Sequence, residues 1–374
     1  MRIAVVAEDL AGEARVAAVP ETVAVLTRAG HQVQVAPNAG RRALITDQQY
    51  RDAGATIGDA VAEAGLVLSV QPLSEPFRDR LLPGTATLSF FATGQRLDDV
   101  RVRRDVGLTT FAMELVPRIS RAQSMDALTS QAMVAGYRAA IVTAGRLRKF
   151  FGLSMTAAGT VPPAQVVVLG AGVAGLQAIA TCRRLGAVVK GYDVRAAAAE
   201  EIRSVGAVAI DLQLDSLEGA GGYAREMTVE RAALQAERLT PYVAAADALI
   251  TTAAVPGRTA PVLVSRAMVE AMTPGSVVVD LAADSGGNVE GSRPGEVVQI
   301  GSAQVWGGSD VPSQMPGPAS RLYAQNVLNL VTLLTPGGRW APDFGDEIVA
   351  GTCVTHDGVI THAPTAALVE GGER

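Results

Sequence analysis

Short apolar runs alternate with helical segments along most of this 374-residue chain, and this alternation limits the possible folds more than any other feature. A first apolar run at 2–8 precedes a segment at 20–30 that opens with Pro20 and closes with Gly30, the expected start and stop signals of a helix. Strands separated by helices predict a mostly parallel sheet that is covered by helices. Further strand candidates in this first series lie at 31–37, 66–70, 85–91 and 108–115.

A second series of strands begins after the proline pair at 162–163. A long helix predicted from 124 to about 151 has a length suited to bridging two domains, and another at 318–334 is expected to return to the first domain. The sequence therefore predicts a discontinuous first α/β domain (1–128 plus 316–374) and a second domain at 129–315. Strand candidates of the second series lie at 165–172, 187–194, 247–253, 276–282 and 303–308.

Composition excludes several classes of function. The net charge is −5 and no Lys/Arg cluster is visible, so the sequence gives no reason to expect nucleic acid as a partner. The two cysteines, Cys182 and Cys353, fit neither a metal-ligand spacing nor a disulfide framework, and they favour a reduced cytoplasmic setting. No long window is free of polar residues, and the apolar run at the N-terminus is too short for a signal peptide.

The strongest local motif is a G-x-G-x-x-G pattern formed by Gly170, Gly172 and Gly175. It follows an apolar strand and opens a helix, and Asp193 ends the next strand 18 residues after Gly175. In a dinucleotide site the glycines allow a tight turn, close approach of the pyrophosphate and close helix–strand packing, while the acidic residue bonds the ribose hydroxyls. The pattern predicts a Rossmann-like domain that binds NAD(H) rather than NADP(H), because Asp193 would repel a 2′-phosphate. A glycine-rich structural turn with a surface Asp is the alternative interpretation.

A second polar stretch, PRISRAQSMDALTSQA at 117–132, carries charges, amides and hydroxyls but no His, Lys or Cys. It has no obvious group for acid–base chemistry. From the residues alone, two interpretations are open: a binding site, or the start of a helix that Ser124 caps, with solvated arginines beside it.

Four stretches together resemble one family: RISRAQSMDALTSQ, GAGVAGLQAIATCRRLGA, GAGGYAREM and PGSVVVDLAADSGGN. They are similar to the NAD(H)-binding component of proton-translocating NAD(P) transhydrogenases, within a family that also contains alanine dehydrogenase. The RAQSMDAL and GGYAREM segments are specific to that component, and the others are shared with alanine dehydrogenase. The resemblance covers nearly the whole chain and implies two doubly wound, Rossmann-like parallel-sheet domains with a cleft between them.

The resemblance also implies a reaction, which is direct hydride transfer from NADH on this chain to NADP⁺ on a partner subunit. Both reactants are nicotinamides, so no substrate hydroxyl or amine has to lose a proton. Such a site needs positioning and a controlled electrostatic environment rather than an acid–base residue. The polar stretch at 117–132 has residue types that can supply both.

Catalytic roles implied by the resemblance fall on Gln123, Arg118 and Asp126, with Arg118 paired to Asp126 and Gln123 nearest the transferring ring. Tyr223 is implied to stand at the tip of a mobile loop (219–227) that closes over nucleotide, and an ordinary surface loop is the alternative. The remaining residues implied to bind nucleotide, besides these and the motif residues above, are Ile119, Ser120, Arg121, Ser124, Met125, Thr129, Val173, Val194, Arg195, Gly222, Gln235 and Ala254.

Alanine dehydrogenase is the main alternative function, since the chain shares its E-x-R-V start and has Asp284 at a matching acidic position. That enzyme needs a substrate-binding Lys and a catalytic His, because oxidation of an amino acid requires removal of a proton. Gln71 stands at the Lys position, and Phe90 and Phe91 stand where the His is expected. The three histidines of the chain are expected at the surface and are His31, His356 and His362.

A third possibility is a sensor that binds NAD without catalysis, although it would have no reason to keep the polar stretch and the Tyr223 loop together. For a transhydrogenase component, the resemblance implies a homodimer, a partner subunit that binds NADP(H) and a small membrane-spanning subunit. It also implies a cytoplasmic protein attached to the inner face of the membrane through those partners, because the transmembrane helices are expected on other polypeptides.

Overall fold

The structure is a computed structural model that describes residues 1–59, 61–217, 228–254 and 259–371. Strands and helices alternate along it. The strands are β1 (Arg2–Val5), β2 (Gln32–Val35), β3 (Thr56–Ile57), β4 (Leu66–Leu68), β5 (Ala86–Ser89), β6 (Thr109–Ala112), β7 (Ser154–Thr156), β8 (Gly159–Val161), β9 (Gln165–Leu169), β10 (Val188–Tyr192), β11 (Val208–Ala209), β12 (Ala248–Thr251), β13 (Val277–Asp280), β14 (Val297–Ile300), β15 (Ala303–Gly307), β16 (Cys353–His356) and β17 (Val359–Ile360).

Helices connect most of the consecutive strands. They are α1 (Pro20–Arg28), α2 (Asp47–Asp52), α3 (Glu75–Arg78), α4 (Leu97–Asp105), α5 (Ala127–Arg146), α6 (Val173–Arg184), α7 (Ala198–Ser204), α8 (Val229–Ala244), α9 (Arg266–Glu270), α10 (Pro316–Leu334), α11 (Glu347–Thr352) and α12 (Ala363–Gly371). Among the described residues, no helix combines the length and apolarity that crossing a bilayer requires.

The chain divides into two compact units. The first contains Met1–Gln131 and the chain from Pro312 onwards, and its sheet has the order β17-β16-β6-β5-β4-β1-β2-β3. The pairs from β6 to β3 are parallel, whereas β16 and β17 are each antiparallel to their neighbour. The chain order therefore reverses between β1 and β4, and the loops that follow these two strands diverge there. Such a switch point is the usual place for a ligand in an open α/β sheet.

The second unit, Ala132–Val311, has a sheet of order β11-β10-β9-β12-β13-β15-β14. Its strands are parallel except for β14, which pairs antiparallel with β15. Here the reversal lies between β9 and β12, next to the glycine motif. The predicted fold class, two doubly wound α/β sheets dominated by parallel pairs, is confirmed.

Apolar side chains on both faces of the parallel strands form the cores. In the first unit Ile3, Leu66 and Leu88 lie in a cluster on one face that also contains the inner side of α10, including Val327 and Leu330. Near-continuous apolar strands are typical of parallel sheets that are covered on both faces. A helix like α10 that is buried along much of its length is held by that packing rather than by helix propensity.

The long helix predicted from 124 is shorter in the structure. A 3-10 turn at Ser120–Met125 comes first, and α5 begins at Ala127 because the backbone of Asp126 is extended. The helix ends before Phe151, whose side chain is buried in the core and whose carbonyl oxygen accepts a bond from the Ala164 N–H. Both ends are thus set by bonds outside the helix.

Sequence reasoning missed two antiparallel pairs. One is the hairpin of β7 and β8, whose SMT and GTV segments lack an apolar alternation, and the other is the edge strand β14 beside β15. The segment from Cys353 onwards, expected to be a tail, supplies β16, which pairs with β6 and closes that edge of the first sheet.

Candidate functional site

The glycine motif forms the tight turn between β9 and α6. Gly170 has a φ of +98°, a conformation that favours glycine, and a Cβ there would collide with Thr252. A Cβ on Gly175 would overlap the carbonyl oxygen of Gly170. These two glycines therefore serve the close packing of α6 against the strand ends.

Gly172 differs from its two neighbours in the motif. It is the N-cap of α6, its φ of −73° suits any residue, and a Cβ on it would have no protein atom within 4 Å. No side chain of the described residues caps this helix end, so the N–H groups of the first turn face open space at the positive end of the helix dipole. An anionic pyrophosphate fits this arrangement, with the half-exposed Val173 in the first turn.

Asp193 follows β10, beside the turn. Its carboxylate accepts bonds from the Ala171 N–H at 2.7 Å and from the Arg195 N–H at 2.9 Å. The Arg195 guanidinium adds bonds of 3.0 and 3.3 Å to the two oxygens and also donates to the Ala171 carbonyl oxygen. A carboxylate offers about four acceptor positions, so all are used by protein groups in this state. Ribose hydroxyls would have to replace the Arg195 guanidinium.

A pocket of about 280 Å³ lies beside this ion pair, and its lining includes Val194, Arg203 and Arg231. Gln235 is 3% exposed, and its side-chain oxygen accepts a 2.8 Å bond from the Tyr192 hydroxyl. Ala254 is exposed after β12. Gly222 and Tyr223 lie outside the described residues.

Sequence reasoning did not identify a second buried carboxylate in this unit. Asp280, at the end of β13, accepts bonds from the Thr251 hydroxyl and from the N–H groups of Ala282 and Asn288. Asn288 in turn exchanges two bonds with the backbone of Ala253. The network fixes the ends of β12 and β13 next to the glycine turn, and an Asp that ends a buried VVVD strand was the available signal.

In the first unit, the predicted nucleotide-binding stretch forms the 3-10 turn. Ala122 and Met125 are buried and Ile119 packs against the same core. These residues are three apart, and a 3-10 helix has three residues per turn, so they form one inward stripe. The polar residues between them point outward, because Ser120, Arg121, Gln123 and Ser124 are all exposed.

Arg121 and Asp126 have partners of their own. Arg121 donates two bonds, of 2.7 and 2.9 Å, to the carboxylate of Asp346, and these bonds lower the pKa of Asp346. Asp126 caps α5, since it accepts from the Thr129 N–H at 2.9 Å and from the Thr129 hydroxyl at 2.6 Å. The structure thus places the cap at Asp126 rather than at Ser124. Arg118 is exposed, and its pairing with Asp126 stays a prediction.

A buried polar cluster lies after β1 and β4, at the switch point of the first sheet. Arg15 donates to both oxygens of Glu13, at 2.8 and 2.6 Å, and to the side-chain oxygen of Gln131 at 2.8 Å. Gln71 and Ser313 donate to Glu13 as well. Burial opposes ionisation of Glu13, but the bonds and charge of Arg15 outweigh it and lower the pKa of Glu13 to about 2.

Glu8 lies beside this cluster. Its oxygens accept bonds from the N–H groups of Val70 at 2.6 Å and Gln71 at 3.2 Å. Burial is the larger effect and raises the pKa of Glu8 from 4.5 to about 8. The two neighbouring carboxyl groups therefore differ in charge at neutral pH because Arg15 pairs directly with only one of them.

The aromatic residues near this switch point have structural partners. Phe91 is fully buried under the guanidinium of Arg103, 4.7 Å from its ring centroid, and Phe90 packs on Tyr323. The expectation that all histidines lie at the surface is wrong for His31. That residue is 5% exposed and lies 3.4 Å from the Thr335 hydroxyl. His356 and His362 are partly exposed.

Comparison with known proteins agrees with this architecture. The alanine dehydrogenase/PNT N-terminal domain matches residues 4–135, and the alanine dehydrogenase/PNT C-terminal domain matches residues 139–363. The chain is 44% identical to an NAD(P) transhydrogenase subunit alpha polypeptide of Rhodospirillum rubrum, over 97% of this chain and 98% of that protein.

Two further relatives place the chain between two enzymes. It is 31% identical to the alanine dehydrogenase of Mycobacterium tuberculosis, over 96% of this chain and 94% of that protein. The crystal structure of the transhydrogenase from Sinorhizobium meliloti superposes with a TM-score of 0.85 at 40% identity, covering 97% of this chain and 100% of that one. On both domain matches and on overall identity, the chain belongs to the alanine dehydrogenase/PNT family.

Proposed function

We propose that this chain is the NAD(H)-binding subunit of a proton-translocating NAD(P) transhydrogenase. In the proposed reaction, a hydride passes directly from NADH held here to NADP⁺ held on a partner subunit, and membrane subunits couple the transfer to proton movement. The 44% identity to a transhydrogenase alpha subunit, against 31% to an alanine dehydrogenase, supports this choice.

The residues at the glycine turn are suited to hold the dinucleotide. Gly172 leaves room for the pyrophosphate at the start of α6, and Asp193 is the candidate partner for the ribose hydroxyls. The bound nicotinamide supplies the hydride chemistry, since it carries two electrons and a proton as one unit. The protein has to bind it, orient it and keep it in the reactive geometry.

Orientation falls to the exposed polar residues of the 3-10 turn, with Gln123 as the proposed ring-positioning residue. The turn is anchored on both sides, because Ala122 and Met125 are buried and Arg121 is bonded to Asp346. A side chain on an anchored turn loses little conformational entropy when it contacts a ligand. These contacts require no titration, which agrees with the lack of His, Lys and Cys in the stretch.

One observation carries the choice against alanine dehydrogenase: among the described residues, the first-unit switch point has no basic residue that is free to bind an amino acid. Arg15 is engaged by Glu13 and Gln131, and Gln71, at the position expected for Lys, donates to Glu13. Phe91, at the position expected for His, is buried and cannot take up a proton.

The partners and location follow from the same proposal. A homodimer of this chain would associate with an NADP(H)-binding subunit and a small membrane-spanning subunit, at the cytoplasmic face of the membrane. The names of the curated relatives as subunit alpha support the existence of further subunits.

The test mixes the purified chain with the NADP(H)-binding subunit of the same organism and follows hydride exchange between NADPH and an absorbance-shifted NAD⁺ analogue. We expect transfer that depends on both proteins, and Gln123→Asn should slow it by about a hundredfold, because a displacement of about 1 Å is enough in a transfer geometry. Alanine with NAD⁺ should give no turnover. Alanine oxidation would favour the dehydrogenase, and NADH binding without any transfer would favour a sensor.

A further inference from the structure

Two amide side chains of α10 converge on one backbone atom of the 3-10 turn. The Nδ2 of Asn326 donates to the carbonyl oxygen of Ser124 at 2.9 Å, and the Nδ2 of Asn329 donates to the same oxygen at 2.8 Å. A carbonyl oxygen has two lone pairs, so this pair of bonds satisfies it fully. Residues three apart on a helix lie on one face, which places both amides toward the turn.

Each amide is also held by a second partner that fixes its orientation. The Ser130 hydroxyl donates to the Oδ1 of Asn326 at 2.7 Å, and the side chain of Gln325 donates to the Oδ1 of Asn329 at 3.0 Å. With the oxygens so engaged, the NH₂ groups have to face Ser124. Gln131, which binds Arg15, also donates to Ser130, so the arrangement continues into the buried Glu13–Arg15 cluster.

We propose that Asn326 and Asn329 are positioning residues that hold Gln123 in the geometry for hydride transfer by clamping the Ser124 carbonyl. This inference rests on the proposed function. A 3-10 turn of six residues has poor intrinsic hydrogen-bond geometry and needs external bonds to keep one conformation. Ser124 directly follows Gln123, so fixing its carbonyl restricts the backbone from which the Gln123 side chain projects. Neither asparagine has to touch the nucleotide.

The test compares Asn326→Leu and Asn329→Leu with Tyr50→Phe. The control also removes one side-chain donor from a backbone carbonyl in the first unit, because the Tyr50 hydroxyl donates to Ala18 at 2.7 Å, but it does so on α2. Each variant is measured for NADH affinity, for hydride transfer with the wild-type partner subunit and for amide hydrogen exchange of residues 118–126. Asn329 is only half-buried, so its variant should fold even if Asn326→Leu does not.

We expect transfer to fall by about tenfold or more in both asparagine variants, with little change in NADH affinity and faster exchange of the turn. Tyr50→Phe should leave all three unchanged. Adding Gln123→Asn to Asn329→Leu should lower the rate by less than it does in the wild type, because the two changes disturb the same geometry.

Transfer and affinity that fall in equal proportion, or an Asn329→Leu variant that behaves like Tyr50→Phe, would overturn this inference and leave the proposed function intact. Additive effects of Gln123→Asn and Asn329→Leu would also count against it. A wild-type chain that transfers no hydride with its partner would instead refute the proposed function, and this inference with it.

Discussion

Asp193 shows how far a single residue can be read from sequence. The spacing after the glycines predicts an acidic residue that faces ribose, and the structure places it beside the turn. The sequence could not show that Arg195, two residues later, occupies the same carboxylate. The pair makes nucleotide choice a competition between a ribose hydroxyl and a guanidinium.

Asp193→Ala should therefore weaken NADH binding and improve NADPH binding, because the released Arg195 becomes available to a 2′-phosphate. We expect each affinity to change by about tenfold, equivalent to ~1.4 kcal/mol. Fluorescence titration with both nucleotides measures the change. In the double variant Asp193→Ala/Arg195→Ala the gain for NADPH should vanish, and a persistent gain would remove Arg195 from the explanation.

Glu8 gives a prediction about pH. Its pKa is raised to about 8 in the folded chain from 4.5, so between these values the folded state holds a proton that the unfolded state has released. The contribution of Glu8 to stability is therefore present below about pH 4.5 and is lost as the pH rises toward 8. Glu8→Gln should flatten the fall in Tm across this range. An unchanged slope in thermal melts of the variant would show that Glu8 is already ionised at neutral pH.

At the scale of elements, local pattern predicts best where one element decides its own structure. The apolar run before Gly170 could only be a buried strand, and β9 lies there. The 3-10 turn failed as a prediction because Ile119, Ala122 and Met125 are spaced as they would be on a helix. What ends the turn is Asp126, and what anchors it is Asp346, 225 residues from Arg121 along the chain. Bonds between such distant residues leave no local signal.

The glycine turn offers a matched pair of variants. Gly172→Ala should leave Tm unchanged, since its Cβ meets no protein atom, and should weaken NADH binding by filling the space at the start of α6. Gly175→Ala should lower Tm, because its Cβ overlaps the Gly170 carbonyl oxygen. Thermal melts and NADH titration separate the two effects. Full NADH affinity in Gly172→Ala would place the pyrophosphate elsewhere.

At the scale of the whole molecule, each unit has its own sheet and its own apolar clusters. Calorimetry should therefore show a heat of unfolding larger than the van't Hoff value of one transition. Saturation with NADH at about 100 times Kd should raise the midpoint of one component by stabilising the glycine-turn unit by ~2.7 kcal/mol. A single two-state transition would mean that the two units unfold together.

The pairing of β16 with β6 also bears on solubility. Every residue of β6 is buried, and without β16 the outer row of its backbone N–H and C=O groups would be unpaired. Unpaired edges of this kind recruit strands from other molecules. The last strands thus act as a guard against self-association, with the two-residue β17 as the short outer edge. A chain cut before Cys353 should form oligomers or aggregates that light scattering detects at concentrations where the full chain stays dispersed.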